Sequence, residues 1–139
     1  MRDNTYTIVM VGPPAIGKSK AIRRLTGKHI PRQYEPTVGA EYYTATILLK
    51  DERVIDLEIW DVAGNDQLSG DRSELYQKAD GVIVLYRDKV SVNSYLREIN
   101  NAVDKELHMK TFITHIDDIN THRRFYRCLR FVSTNVASN

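Results

Sequence analysis

The pattern of hydrophobic and polar positions predicts strands and helices along most of the chain. Apolar runs predict strands at residues 6–11, 54–60 and 110–113, and polar side chains alternate with apolar ones in the second of them. Apolar side chains at helical spacing predict a short helix over 20–25 and a long helix over 91–108. The stripe of the long helix consists of Val92, Leu96, Ile99, Val103 and Leu107.

The loop between the first strand and the first helix has the pattern of a phosphate-binding loop. Two glycines enclose four residues and are followed by a lysine and a hydroxyl residue, so backbone N–H groups and a helix start would face phosphates. Lys18 would neutralise the outer phosphates, and the Ser19 hydroxyl would hold magnesium. The alternative, a glycine-rich turn with a chance lysine, does not account for the flanking strand and helix. The candidate contacts are Gly12, Pro13, Pro14, Ala15, Ile16, Gly17, Lys18, Ser19 and Lys20.

A second candidate element follows the strand predicted at 54–60. That strand would deliver Asp61 to the sheet edge that also holds the phosphate loop, where its carboxylate would hold a magnesium-bound water. The Gly64 N–H would meet a terminal phosphate oxygen. Residues 34–39 show neither helical nor strand periodicity; within them Tyr34 and Thr37 are candidate nucleotide contacts, and Thr37 would close over the metal.

Taken together, these residues resemble the Ras superfamily of small GTPases. Within it, the stretch 64–79 is most similar to the second switch of the Ran family, and the Rab family is the next nearest. Residues 122–133 resemble the basic turn and last strand that Ran proteins carry before a guanine-contacting loop. The resemblance covers nearly the whole chain and is strongest in its first ninety residues.

The resemblance implies a single domain over residues 1–139. Its fold would be α/β, the three-layer fold of P-loop NTPases with a mostly parallel central sheet flanked by helices. The resemblance also implies that the domain binds GTP or GDP with Mg²⁺ and hydrolyses GTP. Switch segments near 30–42 and 63–80 would contact effector and regulatory proteins, and a partner of the transport-receptor type is also expected.

Asn65 departs from the family pattern at the position of the catalytic glutamine. That glutamine orients the attacking water, and the asparagine side chain is one methylene shorter, so we expect slow hydrolysis. The catalytic set would be Asn65 with Lys18, Thr37 and Gly64. Pro14 replaces a loop glycine whose smallness leaves room for a partner's arginine, and its rigid ring would obstruct that arginine.

The base-reading residues depart from the family pattern as well. Thr114, His115 and Asp117 would form the guanine-reading element, in which the Asp117 carboxylate accepts two hydrogen bonds from guanine that adenine cannot donate. His115 replaces a lysine and is either a ring stacked on the base or an ordinary loop histidine. We therefore expect weaker guanine binding than is usual in the family. The remaining altered contacts are Ile30, in place of a stacking aromatic residue, and Ser133, Thr134 and Asn135.

The length of 139 residues suggests that the last helix of the family is missing. Its loss would leave one face of the sheet bare, and large apolar patches are uncommon on soluble monomers. Self-association into a homodimer is the favoured explanation, and a partner helix or polar substitution of that face are the alternatives.

Composition predicts a soluble protein of the cytoplasm or nucleus. Hydrophobic residues make up 42% and charged residues 27% of the chain, and the formal net charge is +2. There is no apolar run of membrane-spanning length and no signal peptide pattern. The only cysteine, Cys128, lies in a predicted strand and not at the C-terminus, and no glycine follows Met1, so a lipid anchor is not expected. The basic and aromatic cluster at 122–130 favours a solvated face or an acidic protein partner over nucleic acid.

Two functions other than a GTPase switch are compatible with the sequence. The first is a pseudo-GTPase, a binding module that keeps the fold and competes for the partners of a small GTPase without cycling. Asn65, Ile30, His115 and the expected loss of the last helix motivate this alternative. The second is another P-loop phosphotransferase, which the Asp61-to-Gly64 tetrad disfavours.

Overall fold

A five-stranded sheet organises the part of the chain that the computed structural model describes, residues 4–13, 16, 22, 40–62, 72–103 and 110–137. The strands are β1 (Thr5–Val11), β2 (Ala40–Leu48), β3 (Val54–Val62), β4 (Gly81–Tyr86) and β5 (Lys110–His115). The helices are α1 (Ser73–Lys78), α2 (Val92–Ala102) and α3 (His122–Ala137), with 3₁₀ turns at Lys89–Ser91 and Ile116–Ile119.

The sheet is mostly parallel. Its strand order is β2-β3-β1-β4-β5, and only β2 runs antiparallel to its neighbour. The strands predicted from the apolar runs are confirmed as β1, β3 and β5. Because parallel strands end at the same side of a sheet, the residues that follow β1, β3, β4 and β5 share one edge, which we call the carboxyl edge.

Helices cover both faces of the sheet, which confirms the three-layer α/β fold. On one face, Tyr76 of α1 and the α2 residues Tyr95 and Ile99 are buried against β1 and β4. On the other face, α3 packs on the sheet together with Ile22, which is helical, is buried and belongs to the helix predicted over 20–25. None of the helices in the described ranges is long and apolar enough to cross a membrane.

Helix α3 overturns two of the expectations stated above. Residues 122–133 form a helix instead of the last strand, and this helix covers the face that was expected to be bare. The physical reason is the spacing of Phe125, Leu129, Val132 and Val136, which places these apolar side chains on one stripe of a helix. Self-association is therefore no longer needed to cover that face, and a homodimer stays an untested prediction.

Helix α2 confirms the long helix predicted over 91–108, with an earlier end. Val103 is extended and terminates the helix, while residues 104–109, including Leu107, lie outside the described ranges. Val92 and Ile99 are buried as expected, and Tyr95 joins them in the core although the apolar stripe did not include it.

Cys128 lies on α3 and is half-buried, which leads to a prediction about its reactivity. Burial raises the pKa of the thiol from 9.0 to about 11, although a hydrogen bond with Thr114 lowers it. Because the thiolate is the nucleophile, we expect iodoacetamide at pH 8 to alkylate the native protein at least about tenfold more slowly than the urea-unfolded protein. Equal rates would contradict the buried thiol.

Because of the same pKa shift, the free energy of unfolding depends on pH in the alkaline range. The folded-state pKa of Cys128 lies above the unfolded value, so folding favours the protonated thiol. This contribution is fully present below about pH 9 and is lost as the pH rises through about 11. A Cys128→Ser variant, compared over this range by urea unfolding, isolates the contribution of the thiol.

Candidate nucleotide-binding site

The described start of the phosphate loop lies at the carboxyl edge, directly after β1. A Cβ atom on Gly12 would lie 2.8 Å from the backbone oxygen of Leu85 in β4, so only glycine fits this close approach. Pro13 and Ile16 are the other described members of the loop. The other predicted contacts lie outside the described residues: Pro14, Ala15, Gly17, Lys18, Ser19, Lys20, Ile30, Tyr34, Thr37, Gly64 and Asn65.

Asp61 lies near the end of β3, on the same edge. The parallel register pairs it with Met10, two residues before Gly12, as expected from the sequence. Only 3% of Asp61 is exposed, and it has interaction partners. A carboxylate at this position can accept a hydrogen bond from a water bound to magnesium.

The predicted guanine-reading residues lie at the end of β5, which runs two residues further than predicted, and in the turn that follows it. Thr114 and His115 end the strand, and Asp117 lies in the 3₁₀ turn at Ile116–Ile119. The Asp117 side chain is 54% exposed, so its carboxylate is accessible from solvent. Two carboxylate oxygens offer the paired acceptors that the guanine edge requires.

His115 positions the turn that carries Asp117. Its Nδ1 accepts a hydrogen bond of 3.0 Å from the Asp117 backbone N–H, which requires an unprotonated Nδ1. The imidazole also packs edge-on against Tyr86, with ring centroids 5.1 Å apart and an interplanar angle of 84°. These contacts show that His115 caps the turn. Its stacking on a base stays a prediction.

Arg87 is a residue of this site that the sequence analysis missed. It follows β4 at the carboxyl edge, and its Nη2 donates to the backbone oxygen of Ile16 over 3.4 Å. Its Nη1 lies 3.8 Å from Asp117 Oδ1. The guanidinium therefore connects the phosphate loop with the guanine-reading turn. The available signal was a charged residue placed directly after a buried strand.

Ser133, Thr134 and Asn135 are not brought to the site, and the expectation that they contact the base is wrong for this fold. They lie near the end of α3, where the Asn135 backbone oxygen accepts from Lys110 Nζ. Lys110 begins β5, whereas Asp117 follows its end, so about 17 Å of strand separates the two places. The reason is again the helical spacing in 122–137.

An ion pair anchors Arg72, in the middle of the predicted second switch (63–80), to α2. Arg72 directly precedes α1 and is only 6% exposed, and its Nε and Nη2 donate to the two Glu98 carboxylate oxygens over 2.5 and 2.8 Å. The Arg72 guanidinium also lies over the Tyr95 ring, 5.7 Å from its centroid. Burial, followed by the negative charge of Glu98, raises the pKa of the adjacent Tyr76 phenol. The start of α1 is thereby tied to α2.

The chemistry of these residues fits a guanine nucleotide with magnesium. Gly12 allows a close backbone approach, Asp61 supplies an acceptor for a water bound to magnesium, and Asp117 supplies two accessible acceptors. The described ranges contain no cluster of three histidine, cysteine or acidic side chains that could hold a metal ion without help from other groups. Ser19 and Thr37, the other predicted ligands, lie outside those ranges.

Comparison with known proteins identifies the family to which the sequence is similar. The family model of the Ras family matches residues 7–128. EF-hand calcium-binding domain-containing protein 4B of Homo sapiens is 34% identical over 106 residues, which cover 73% of this chain and 14% of that protein. Ras and EF-hand domain-containing protein homolog of Caenorhabditis elegans is 32% identical over 95 residues, 68% of this chain and 15% of that protein.

A plant relative matches over a larger share of its own length. Ras-related protein RABA1c of Arabidopsis thaliana is 28% identical over 110 residues, which are 76% of this chain and 50% of that protein. The chain thus spans half or less of these three relatives. The narrower resemblance to the Ran family stays a prediction.

Proposed function

Because the chain belongs to the Ras family, we propose that it is a switch that binds GTP or GDP together with magnesium. The observation that carries the proposal is the arrangement of the carboxyl edge. Gly12 and Asp61 share that edge through the parallel register of β1 and β3, and Asp117 follows β5 on the same side. Arg87 bridges the phosphate loop and the base-reading turn.

In this proposal each residue has a separate task. Lys18 and the Gly64 N–H bind phosphate oxygens, Ser19 and Thr37 bind magnesium, and Asp61 holds a magnesium-bound water. Asp117 accepts two hydrogen bonds from guanine, and His115 keeps it in position by capping the turn. Magnesium, when bound, neutralises phosphate charge. The predicted effector contacts near 30–42 and 63–80, and a Ran-like choice of partner, belong to the same proposal.

The proposed GTP hydrolysis is slow because Asn65 is too short to orient water as glutamine does. We expect Asn65→Gln to leave the single-turnover rate of GTP hydrolysis unchanged or to raise it. The matched control is Asn100→Gln on the exposed face of α2, which makes the same chemical change near the end of that helix, away from the carboxyl edge. A several-fold lower rate for Asn65→Gln would show that the asparagine itself is the better water-positioning group.

A pseudo-GTPase is the second candidate, and one observation favours it. The fold removes Ser133, Thr134 and Asn135 from the neighbourhood of the base-reading turn. Fewer groups then remain to hold the base, since the lysine position is occupied by a histidine that packs against Tyr86. Such a domain would present a switch-like surface to partners without cycling.

The identity and amount of nucleotide released by denaturing the freshly purified protein distinguish the two candidates. Near-stoichiometric GDP or GTP supports the switch, and nucleotide-free protein supports the pseudo-GTPase. Titration with fluorescent GDP in the presence of magnesium then measures the affinity of the pocket for the nucleotide. We expect a dissociation constant weaker than nanomolar, and tighter binding would contradict the expected weakening of the pocket.

A further inference from the structure

The outer face of α3 carries a surface that adjoins the predicted nucleotide site, with which it shares Thr114, and extends away from it along the helix. Two cavities of about 430 and 540 Å³ lie along this face, and both are lined by Arg127 and Phe131. Together they form what we call the basic groove. Its main lining side chains are Lys50, Arg124, Arg127, Arg130, Phe131 and Thr134.

The basic side chains of the groove form no ion pair with a carboxylate among the residues that the structure describes. Arg124 donates to the backbone oxygen of Asp117 over 3.0 Å, and Arg130 donates to the backbone oxygen of Leu48 over 3.1 Å. These acceptors carry no net charge. In the described ranges, no ion pair within 4.0 Å joins Arg124, Arg127, Arg130 or Lys50 to a carboxylate. Asp118, in the first cavity, is the acidic side chain of the lining.

Phe131 provides an apolar contact among the basic side chains of the groove. It is 61% exposed, although α3 buries its other large apolar side chains against the sheet. Its ring packs edge-on against Phe112 of β5, with centroids 5.9 Å apart, so the ring is held in place and still presents area to solvent. A fixed and exposed aromatic side chain is a typical anchor point of a binding surface.

We propose that the basic groove binds an acidic segment of a partner protein in extended conformation. Its carboxylates would pair with the arginines and Lys50, and one apolar side chain would pack on Phe131. The groove runs along α3 from Arg124 to Thr134, about 15 Å at the helical rise. An extended segment of about five residues covers that length.

The surface fits a protein segment better than a nucleic acid. Single-stranded nucleic acids bind on several aromatic rings that stack successive bases, whereas Phe131 is the aromatic ring that lines both cavities. The formal net charge of +2 for the whole chain also provides little general attraction for phosphates. A local cluster of cations around an apolar contact suits alternating acidic and apolar side chains.

Fluorescence anisotropy tests the proposal with a labelled peptide of aspartate and glutamate that contains one central leucine. We expect saturable binding that weakens as salt is raised, because the exposed charges are screened. Arg127→Glu should weaken the affinity about tenfold or more, and Phe131→Ala roughly fivefold. Both side chains are exposed, and circular dichroism with the urea midpoint checks that the variants are folded.

The matched control is Arg97→Glu, the same substitution on the exposed face of α2, which packs on the opposite side of the sheet. It should change the affinity less than about twofold. The proposal is overturned if the peptide does not bind or if Arg97→Glu weakens binding as much as Arg127→Glu. It is also overturned if an oligothymidylate binds more tightly than the peptide, which would identify a nucleic-acid surface.

Discussion

Replacing Asp117 with asparagine should weaken GDP binding about a hundredfold. The amide keeps one acceptor oxygen but turns an NH₂ group toward a guanine donor, so about one charge-assisted hydrogen bond is lost and two donors face each other. A loss of about 3 kcal/mol corresponds to that factor. Titration with fluorescent GDP measures the change.

Asp118→Asn is the control for this prediction. Asp118 is the next residue in the same 3₁₀ turn, is exposed, and loses the same charge on substitution. We expect its affinity for GDP to stay within about threefold of the parent. Equal losses for the two variants would mean that the turn acts through its overall charge and that Asp117 does not read the base.

The Arg72–Glu98 pair should give the largest effect on stability. Removing one partner of a buried pair leaves the other charge without compensation, and Glu98 is 30% exposed, so we expect Arg72→Ala to lower the free energy of unfolding by about 3 kcal/mol. Urea unfolding at a fixed nucleotide state measures this loss. Because Arg72 precedes α1, the same variant should also loosen the middle of the predicted second switch.

An exposed ion pair on α1 provides the comparison. Lys78 Nζ lies 3.2 Å from Glu74 Oε1 with both side chains largely exposed, and Glu74→Ala should cost less than about 0.5 kcal/mol. Joint replacement of Arg72 by methionine and Glu98 by leucine should recover much of the lost stability, since no charge is then left buried. The prediction fails if Arg72→Ala costs no more than Glu74→Ala.

The sequence was sufficient where a short-range pattern determines structure. The apolar runs predicted β1, β3 and β5, and helical spacing predicted α2. Asp61 could be assigned to the carboxyl edge because the ends of parallel strands meet there, whereas Asp117 was assigned from the resemblance to the family.

Two features of the structure, the helix α3 and the contact of Arg87, differ from the predictions or are missing from them. The resemblance to the family predicts a strand at 122–133, whereas the helical spacing of Phe125, Leu129, Val132 and Val136 determines the structure. Arg87 could not be assigned from the sequence, because its contact with Ile16 depends on how two distant loops meet after the sheet has formed.

The direction of α3 has an electrostatic consequence for the base-reading turn. The helix starts beside Asp117, where Arg124 contacts the turn, and it ends beside Lys110 and Gly81 at the opposite side of the sheet. The aligned peptide dipoles of its sixteen residues therefore place a partial positive charge, about half an elementary charge, next to Asp117. The same backbone that supports the basic groove thus creates a field that favours negative charge at the carboxyl edge.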